Sequence, residues 1–164
     1  MSRAPGIVAA MRRRRLVAAS LALAVAPARA QTPGLRFETS PLTIETAGGQ
    51  RHRFTVELAD SDEKRALGLM YRDRMAADAG MLFDFKNDQL VAMWMRNTRL
   101  PLDMLFIARD GRIVNIRERA VPFSEESIYS DGPVRAVLEL NGGTASRLGL
   151  RPGDRVRHAL FGNA

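Results

Sequence analysis

The chain of 164 residues contains no cysteine. This absence excludes disulfide bonds, thiolate metal sites and cysteine nucleophiles, so a folded domain depends on its hydrophobic core alone. Histidine is scarce as well, with only His52 and His158. The sequence lacks the Gly-x-Ser-x-Gly, His-Glu-x-x-His and phosphate-binding glycine-loop patterns. The common hydrolases, zinc enzymes and nucleotide-binding proteins therefore have no motif here, and we expect no cofactor.

Long hydrophobic runs are also missing. The longest, residues 16–25, has ten residues, whereas a membrane-spanning helix needs about 20. It follows four arginines at residues 12–15 and precedes Ala28-Arg29-Ala30, a small-x-small cleavage pattern. We predict that residues 1–30 are a secretory signal, of the general type rather than the twin-arginine type. The mature chain, residues 31–164, is then a single periplasmic or secreted domain without a transmembrane segment.

The positive charge of the chain is concentrated in the predicted signal. The whole sequence has 25 Lys and Arg against 18 Asp and Glu, a net charge of +7. Residues 1–30 hold six of those arginines and no acid, so residues 31–164 have 19 basic and 18 acidic residues, or +1. Nucleic-acid binding requires a basic surface. The composition gives no indication of one, and we expect no nucleic-acid partner.

Short alternating segments predict a mainly β domain. Apolar and polar residues alternate, as in half-buried strands, most clearly at Phe54, Val56 and Leu58 and at Val134, Ala136, Leu138 and Leu140. Asp110-Gly111 between two apolar runs predicts a hairpin turn. Residues 62–69 predict one helix, with Asp60 as its N-cap and Glu63 completing a capping box. We expect an α+β chain with mainly β structure, a small β-barrel or sandwich of about eight short strands with one packed helix.

Residues 90–111 contain the only tryptophan, Trp94, and a polar interruption between two apolar runs. We predict two strands joined by a polar corner at residues 96–103, because Asn97, Thr98 and Pro101 favour a bend. Asp103 returns between apolar neighbours, so its charge must be paired or near the surface. Two interpretations remain open. Asp103 forms a structural bond with Arg72, Arg74, Arg96 or Arg99, or the corner is a polar binding site composed of Arg72, Trp94, Asn97, Thr98 and Asp103.

Methionine is concentrated in the same region, at positions 70, 75, 81, 93, 95 and 104. Thioethers suit Cu(I), but methionine more often fills irregular gaps in a core. We favour the core interpretation. On a regular strand Met93 and Met95 share one face and Trp94 takes the other, so both faces need a cover, for which we favour the helix over a ligand.

Residues 65–111 resemble the family known as domain of unknown function 192. The resemblance rests on five motifs in order, namely Arg65-Ala-Leu-Gly68-Leu69-Met70-Tyr71-Arg72, Gly80-Met81-Leu82-Phe83-Asp84-Phe85, Trp94-Met95-Arg96-Asn97-Thr98, Pro101-Leu102-Asp103 and Asp110-Gly111. It extends from about Phe54 to Phe161, with Met93 standing where the family often has an aromatic residue. The resemblance implies a small, mainly β domain that is frequently exported in bacteria. It implies no activity and no catalytic residues.

The C-terminal segment contains Gly153-Asp154 before a final predicted strand. Its pattern is similar to the Gly-Asp box of small β-barrels with crossed loops. Gly153 permits a tight turn, and Asp154 is expected to accept hydrogen bonds from main-chain amides. We assign this segment a structural role.

Three functions follow from these features. The favoured one is a non-enzymatic binding or accessory module of the cell envelope, whose corner at residues 96–103 binds a saccharide, peptide or protein. The second is a hydrolase or lyase that acts on an envelope polymer with Asp103 as acid or base. The third is Cu(I) binding through the methionines. We lean against an enzyme because no catalytic set is recognisable.

Overall fold

The computed structural model describes residues 35–164, and the predicted signal lies outside them. In chain order the elements are β1 (Thr39–Glu45), β2 (Arg51–Ala59), α1 (Asp62–Leu67), β3 (Ala79–Gln89), β4 (Ala92–Met93), β5 (Leu102–Ile107), β6 (Ile113–Ala120), β7 (Ile128–Tyr129), β8 (Val134–Asn141), α2 (Thr144–Leu148), β9 (Arg155–Arg157) and a 3-10 turn (Ala159–Phe161). None of the helices in this part of the chain has the length and apolar character needed to cross a membrane.

Seven strands form one curled sheet, a half-barrel, in the order β6-β5-β8-β3-β2-β1-β9. All neighbours are antiparallel except β2 and β3, which are parallel and are connected through α1. Strands β4 and β7 form a second, two-stranded sheet. A bridge between Arg112 and Arg155 links the segment before β6 to the other edge strand, β9. The predicted mainly β fold is confirmed.

The central strands of the sheet bury both of their faces. Alternate side chains of a strand point to opposite faces, so each central strand supplies two hydrophobic cores. The first core is built around Leu42, Ile44, Val56, Leu82, Leu105 and Leu138. The second core is built around Leu69, Met81, Phe83, Met95, Met104, Phe106 and Val137. The candidate site lies on the face of the second core.

Helix α1 begins at Asp62 as predicted and ends at Leu67, but its N-cap lies one residue later than predicted. Ser61, not Asp60, is the N-cap, and its hydroxyl oxygen accepts the Lys64 N–H at 3.3 Å. Ser61 has the extended backbone that an N-cap requires, while Asp60 pairs with the Lys64 ammonium at 2.7 Å. Gly68 ends the helix with a φ of 49°, and a Cβ there would lie 3.1 Å from the Phe83 ring. The helix end is thus held against β3.

The segment before the predicted corner also differs from expectation. Instead of a strand over residues 90–95, only β4 is extended, and it pairs with β7 rather than with the main sheet. Strand β3 extends as far as Gln89, with a bulge at Lys86 where φ is 66°. The Asp84 carboxylate accepts the Lys86 N–H at 2.8 Å and supports this bulge.

Candidate binding site

A cavity of about 270 Å³ opens between α1, β3 and β4. The segment from α1 to Met70 forms one wall, and β4 with Trp94 forms another. Its lining is mainly apolar and comprises Arg65, Ala66, Leu67, Gly68, Leu69, Met70, Phe83, Phe85, Ala92, Met93, Trp94, Thr98 and Glu139. Mostly apolar walls with a few polar groups are typical of ligand pockets.

Glu139 is the one carboxylate among these lining residues. On β8 it stands in register with Met81 of β3 and Met104 of β5, and both methionine side chains are fully buried. Glu139 itself is 4% exposed. None of the ion pairs or side-chain hydrogen bonds identified in residues 35–164 involves it. Burial raises the pKa of Glu139 to about 8, because a low-dielectric environment disfavours the charged form.

Arg65 is the one basic residue of the lining, and its guanidinium is already occupied. It donates to the main-chain oxygen of Asp84 at 2.6 Å and pairs with the carboxylate of Asp62. Its guanidinium carbon also lies 5.7 Å from the centre of the Phe85 ring, a cation–π distance. Glu139 therefore has no cationic partner among the residues that line the cavity.

Trp94 is 48% exposed and forms part of the cavity mouth. The guanidinium carbon of Arg96 lies 5.5 Å from the centre of its ring. The expected alternation is observed, because Met95 is fully buried in the second core and Met93 packs against the same core, whereas Trp94 is exposed. Met93 also lines the cavity. The predicted helix forms the opposite wall of an open cavity instead of covering Trp94.

Three loops meet at the predicted corner. The Tyr71 N–H donates to the Asn97 main-chain oxygen at 2.9 Å, and the Phe123 N–H donates to that of Thr98 at 3.1 Å. Tyr71, Asn97 and Phe123 all have left-handed backbones, with φ of 65°, 55° and 62°. Such a φ is unusual for a bulky residue and costs roughly 1–3 kcal/mol. The loops hold Tyr71 and Phe123 exposed, and with Trp94 these form what we call the aromatic rim.

Asp103 lies away from the cavity and is fully buried. Its carboxylate accepts three main-chain N–H groups, from Arg119 at 2.8 Å, Gly143 at 2.9 Å and Ala145 at 2.7 Å. No arginine side chain is its partner, so the structural bond that one of the two interpretations assigned to an arginine is made by main-chain N–H groups instead. The donors come from 16 to 42 residues away along the chain, so no local sequence pattern predicts them.

The remaining predicted site residues fall into two places. Thr98 lines the cavity, and the Asn97 amide nitrogen lies 3.9 Å from the Met70 sulfur at the cavity edge. Arg72 binds Glu57 with both of its terminal nitrogens, one at 2.7 Å, and lies over the Phe37 ring. The structure thus groups Trp94, Thr98 and Asn97 at the cavity, whereas Arg72 and Asp103 contact other parts of the fold.

The methionines also divide between two environments. Met81, Met95 and Met104 are fully buried in the second core, as the core interpretation expects. Met70 and Met93 line the cavity, where their thioether groups provide a polarisable apolar surface. No group of three or more His, Cys, Asp or Glu side chains in the described part of the chain is arranged to hold a metal ion.

Glu139 is the site residue that the sequence reasoning missed. Its strand was recognised from the face that carries Ala136, Leu138 and Leu140. The opposite face carries Arg135, Val137, Glu139 and Asn141, so three of its four residues are polar and the sequence predicts a half-buried strand. The burial of Glu139 comes from Met81 and Met104 on the flanking strands, and no local pattern pairs these residues with it.

The described domain is a curled, mainly β sheet with an apolar cavity and one buried carboxyl, Glu139, that has no ion-pair partner. Residues 43–158 match the family model DUF192, described as "Uncharacterized ACR", and the chain belongs to this family. Among curated proteins no sequence matches the chain.

Two crystal structures have a similar fold. One is of a protein from Sinorhizobium meliloti 1021 described as a candidate transcription regulator. It is 54% identical, with a TM-score of 0.76, over 77% of this chain and 98% of that chain. The other is of a protein of unknown function from Novosphingobium aromaticivorans DSM 12444. It is 40% identical, with a TM-score of 0.72, over 79% of this chain and 94% of that chain.

Proposed function

We propose that the protein is a non-enzymatic binding module whose site is the cavity between α1 and β4. The observation that carries the proposal is the cavity itself, which places one unpartnered buried carboxyl, Glu139, behind apolar walls. The aromatic rim next to the mouth supports it, because exposed aromatic residues are frequent at binding surfaces. In this proposal Trp94, Thr98 and Asn97 belong to the site, and Arg72 and Asp103 support the surrounding structure.

The indole N–H of Trp94 provides a direct test, because the chain has one tryptophan and therefore one indole signal in a nitrogen–proton NMR spectrum. We expect small ligands with an alkyl or aromatic part to shift this signal in a saturable way. Ala66→Phe places a ring at the exposed wall of the cavity and is expected to weaken binding at least tenfold. Ala76→Phe, at an exposed position outside the lining, is the control and should leave the affinity unchanged.

We further propose that the domain acts in the cell envelope after export. The proposal rests on the sequence of residues 1–30 alone, with their basic start, apolar stretch and Ala28-Arg29-Ala30. When the full chain is expressed with a C-terminal tag in a Gram-negative host, the periplasmic protein is expected to begin at Gln31 by mass spectrometry. Ala30→Asp should leave the precursor uncleaved. Tagged full-length protein confined to the cytoplasm would refute export.

Nucleic-acid binding is not part of this proposal, although one similar structure is described as a candidate regulator. A net charge of +1 over residues 31–164 offers no general attraction to a phosphate backbone. The two α-helices of the described domain have six and five residues, and neither has the length of the recognition helices that enter a major groove.

Acid–base catalysis by Glu139 is the second candidate. A carboxyl whose pKa is raised to about 8 in a cavity is the kind of group that enzymes use as a general acid or base. Glycoside cleavage by the common mechanisms also needs a second carboxylate, and the cavity lining contains none. If the purified protein cleaves an envelope polymer and Glu139→Gln abolishes the cleavage, the enzyme replaces the binding module as the function.

A further inference from the structure

We propose that the cavity takes a primary ammonium group on a short alkyl chain, with the Glu139 carboxylate as its counter-ion. This inference rests on the proposed function, because it assigns a ligand chemistry to the same site. The shared chemistry has two sources, a free alkylamine or the side chain of a lysine in a peptide.

Charge complementarity favours a cation over other ligands. Glu139 is almost fully buried, lines the cavity and has no ion pair or side-chain hydrogen bond in the described domain. A buried carboxyl without a partner is costly unless a ligand satisfies it. An ammonium supplies three N–H donors together with the opposite charge.

The walls suit the rest of such a ligand. Met70, Met93 and Phe83 line the cavity, and they provide an apolar surface for methylene groups. Trp94 at the mouth offers an aromatic face of the kind that attracts cations, and Arg96 already lies over that ring. The cavity volume of about 270 Å³ lies just below the roughly 300–1,000 Å³ of sites for drug-sized ligands. It therefore fits a side-chain-sized group rather than a polymer.

Other charges around Glu139 are already engaged. On α1, Arg65 faces the cavity but is bound to Asp62 and to the main chain of β3. On β3, Asp84 pairs with Lys86 and Arg135. On β5, Asp103 binds main-chain N–H groups, and the strand neighbours of Glu139 are methionines. The ligand would therefore meet one carboxyl without a competing cation.

The binding of an ammonium is coupled to the protonation state of Glu139. The pKa of Glu139 is raised to about 8 by burial, so at neutral pH the empty site holds mostly the neutral acid. An ammonium binds the ionised form, and the displaced proton goes to solvent. The affinity should therefore rise close to tenfold per pH unit between pH 6 and about 7.5 and level off near pH 9, while the amine, with a pKa of about 10.4 like lysine, stays charged.

The test compares three six-carbon probes, n-hexylammonium, 1-hexanol and hexanoate, by NMR shifts of the Trp94 indole N–H at pH 6 to 9. We expect hexylammonium to bind more tightly than hexanol at pH 9, by at least tenfold, and hexanoate to bind most weakly. The advantage of the cation should shrink as the pH falls to 6. A blocked lysine, carrying N-terminal acetyl and C-terminal amide groups, distinguishes the two sources. If it binds as well as hexylammonium, the source is a lysine side chain in a peptide. If it binds less well, the source is a free alkylamine.

Glu139→Gln keeps the size of the side chain and removes its charge. In this variant hexylammonium should lose its advantage over hexanol and its pH dependence, while hexanol still binds. Glu126→Gln, on an exposed loop, should change neither the advantage of hexylammonium over hexanol nor the pH dependence of its affinity. Equal affinities for hexylammonium and hexanol in the unsubstituted protein at pH 9 would overturn the ammonium assignment and leave the binding module intact. Failure of all probes to shift the Trp94 signal would overturn both.

Discussion

Replacing Asp103 by alanine is expected to lower the free energy of unfolding by about 4 kcal/mol. The carboxylate is fully buried and accepts three main-chain N–H groups. Alanine would leave three donors without partners in a dry environment, and each costs roughly 1–3 kcal/mol. Domains of this size are stable by only about 5–15 kcal/mol, so the loss is a large fraction of the total. Urea denaturation followed by circular dichroism measures it.

Two further variants sharpen this prediction. Asp103→Asn retains one carbonyl oxygen for Arg119 and Gly143 but turns an amide N–H towards the Ala145 N–H, so we expect an intermediate loss. Asp73→Ala removes an exposed carboxylate that pairs with Arg99 at the surface, and such pairs contribute at most about 1 kcal/mol. A loss below 1 kcal/mol for Asp103→Ala would contradict the structural role that we assign to this carboxylate.

The position of Asp103 explains why its role is structural. Its oxygens join β5 to the main chain of Arg119 on β6 and of Gly143 and Ala145 at the start of α2. Three elements that are distant in sequence are therefore fixed to one another by a single side chain. Asp154 acts in a similar way, because it accepts the Ala47 N–H at 2.9 Å and the Arg151 N–H at 2.8 Å. For Asp154 this role is predictable from the Gly153-Asp154 turn.

Much of the fold followed from local patterns. The alternation at Phe54, Val56 and Leu58 lies within β2, and Asp110-Gly111 lies in the turn between β5 and β6. These elements were predictable because the period of two and the turn chemistry act over neighbouring residues. The brevity of β4 was not predictable. Residues beyond Met93 bond to other loops, as in the 2.9 Å bond from the Met95 N–H to the Ser124 oxygen, and no local pattern encodes those partners.

The candidate site, like the fold, was predictable from the sequence only in part. Trp94 and Thr98 attracted attention as unusual residues in a polar corner, and both line the cavity. The partner set of Asp103 and the importance of Glu139 depend on the strand order, which places β8 between β5 and β3. That order is set by contacts between distant segments. In the sequence Glu139 lies on the same face of its strand as Arg135 and Asn141, and its burial follows from Met81 and Met104 on the flanking strands.

Glu139→Gln is expected to stabilise the protein more and more as the pH rises from about 4.5 to 8. The unfolded chain titrates this carboxyl near its ordinary pKa of 4.5, whereas in the fold the pKa is about 8. Between these values the folded protein binds more protons than the unfolded chain, so its stability falls with rising pH. Each pH unit in that window costs up to about 1.4 kcal/mol. By pH 7 the accumulated loss is roughly 3 kcal/mol.

Glutamine removes this titration. We therefore expect the difference in unfolding free energy between Glu139→Gln and the unsubstituted protein to be nearly constant below pH 4. It should grow by roughly 3 kcal/mol up to pH 7 and level off above pH 8 to 9. The difference matters more than its absolute value, because the buried amide carries a desolvation cost of its own. Urea denaturation at half-unit pH steps provides the curve.

Other titrating groups cancel in this comparison. Burial lowers the pKa of His158, which reduces stability as the pH falls, but it does so equally in both proteins. Glu126→Gln, on the surface, should give a flat difference curve. A flat curve for Glu139→Gln would mean that the carboxyl is solvated or already paired, and the site would lose its unsatisfied charge. A rising curve means that the fold keeps an unfavourable group in its cavity. Natural domains commonly retain such a group where function requires it, at the expense of stability.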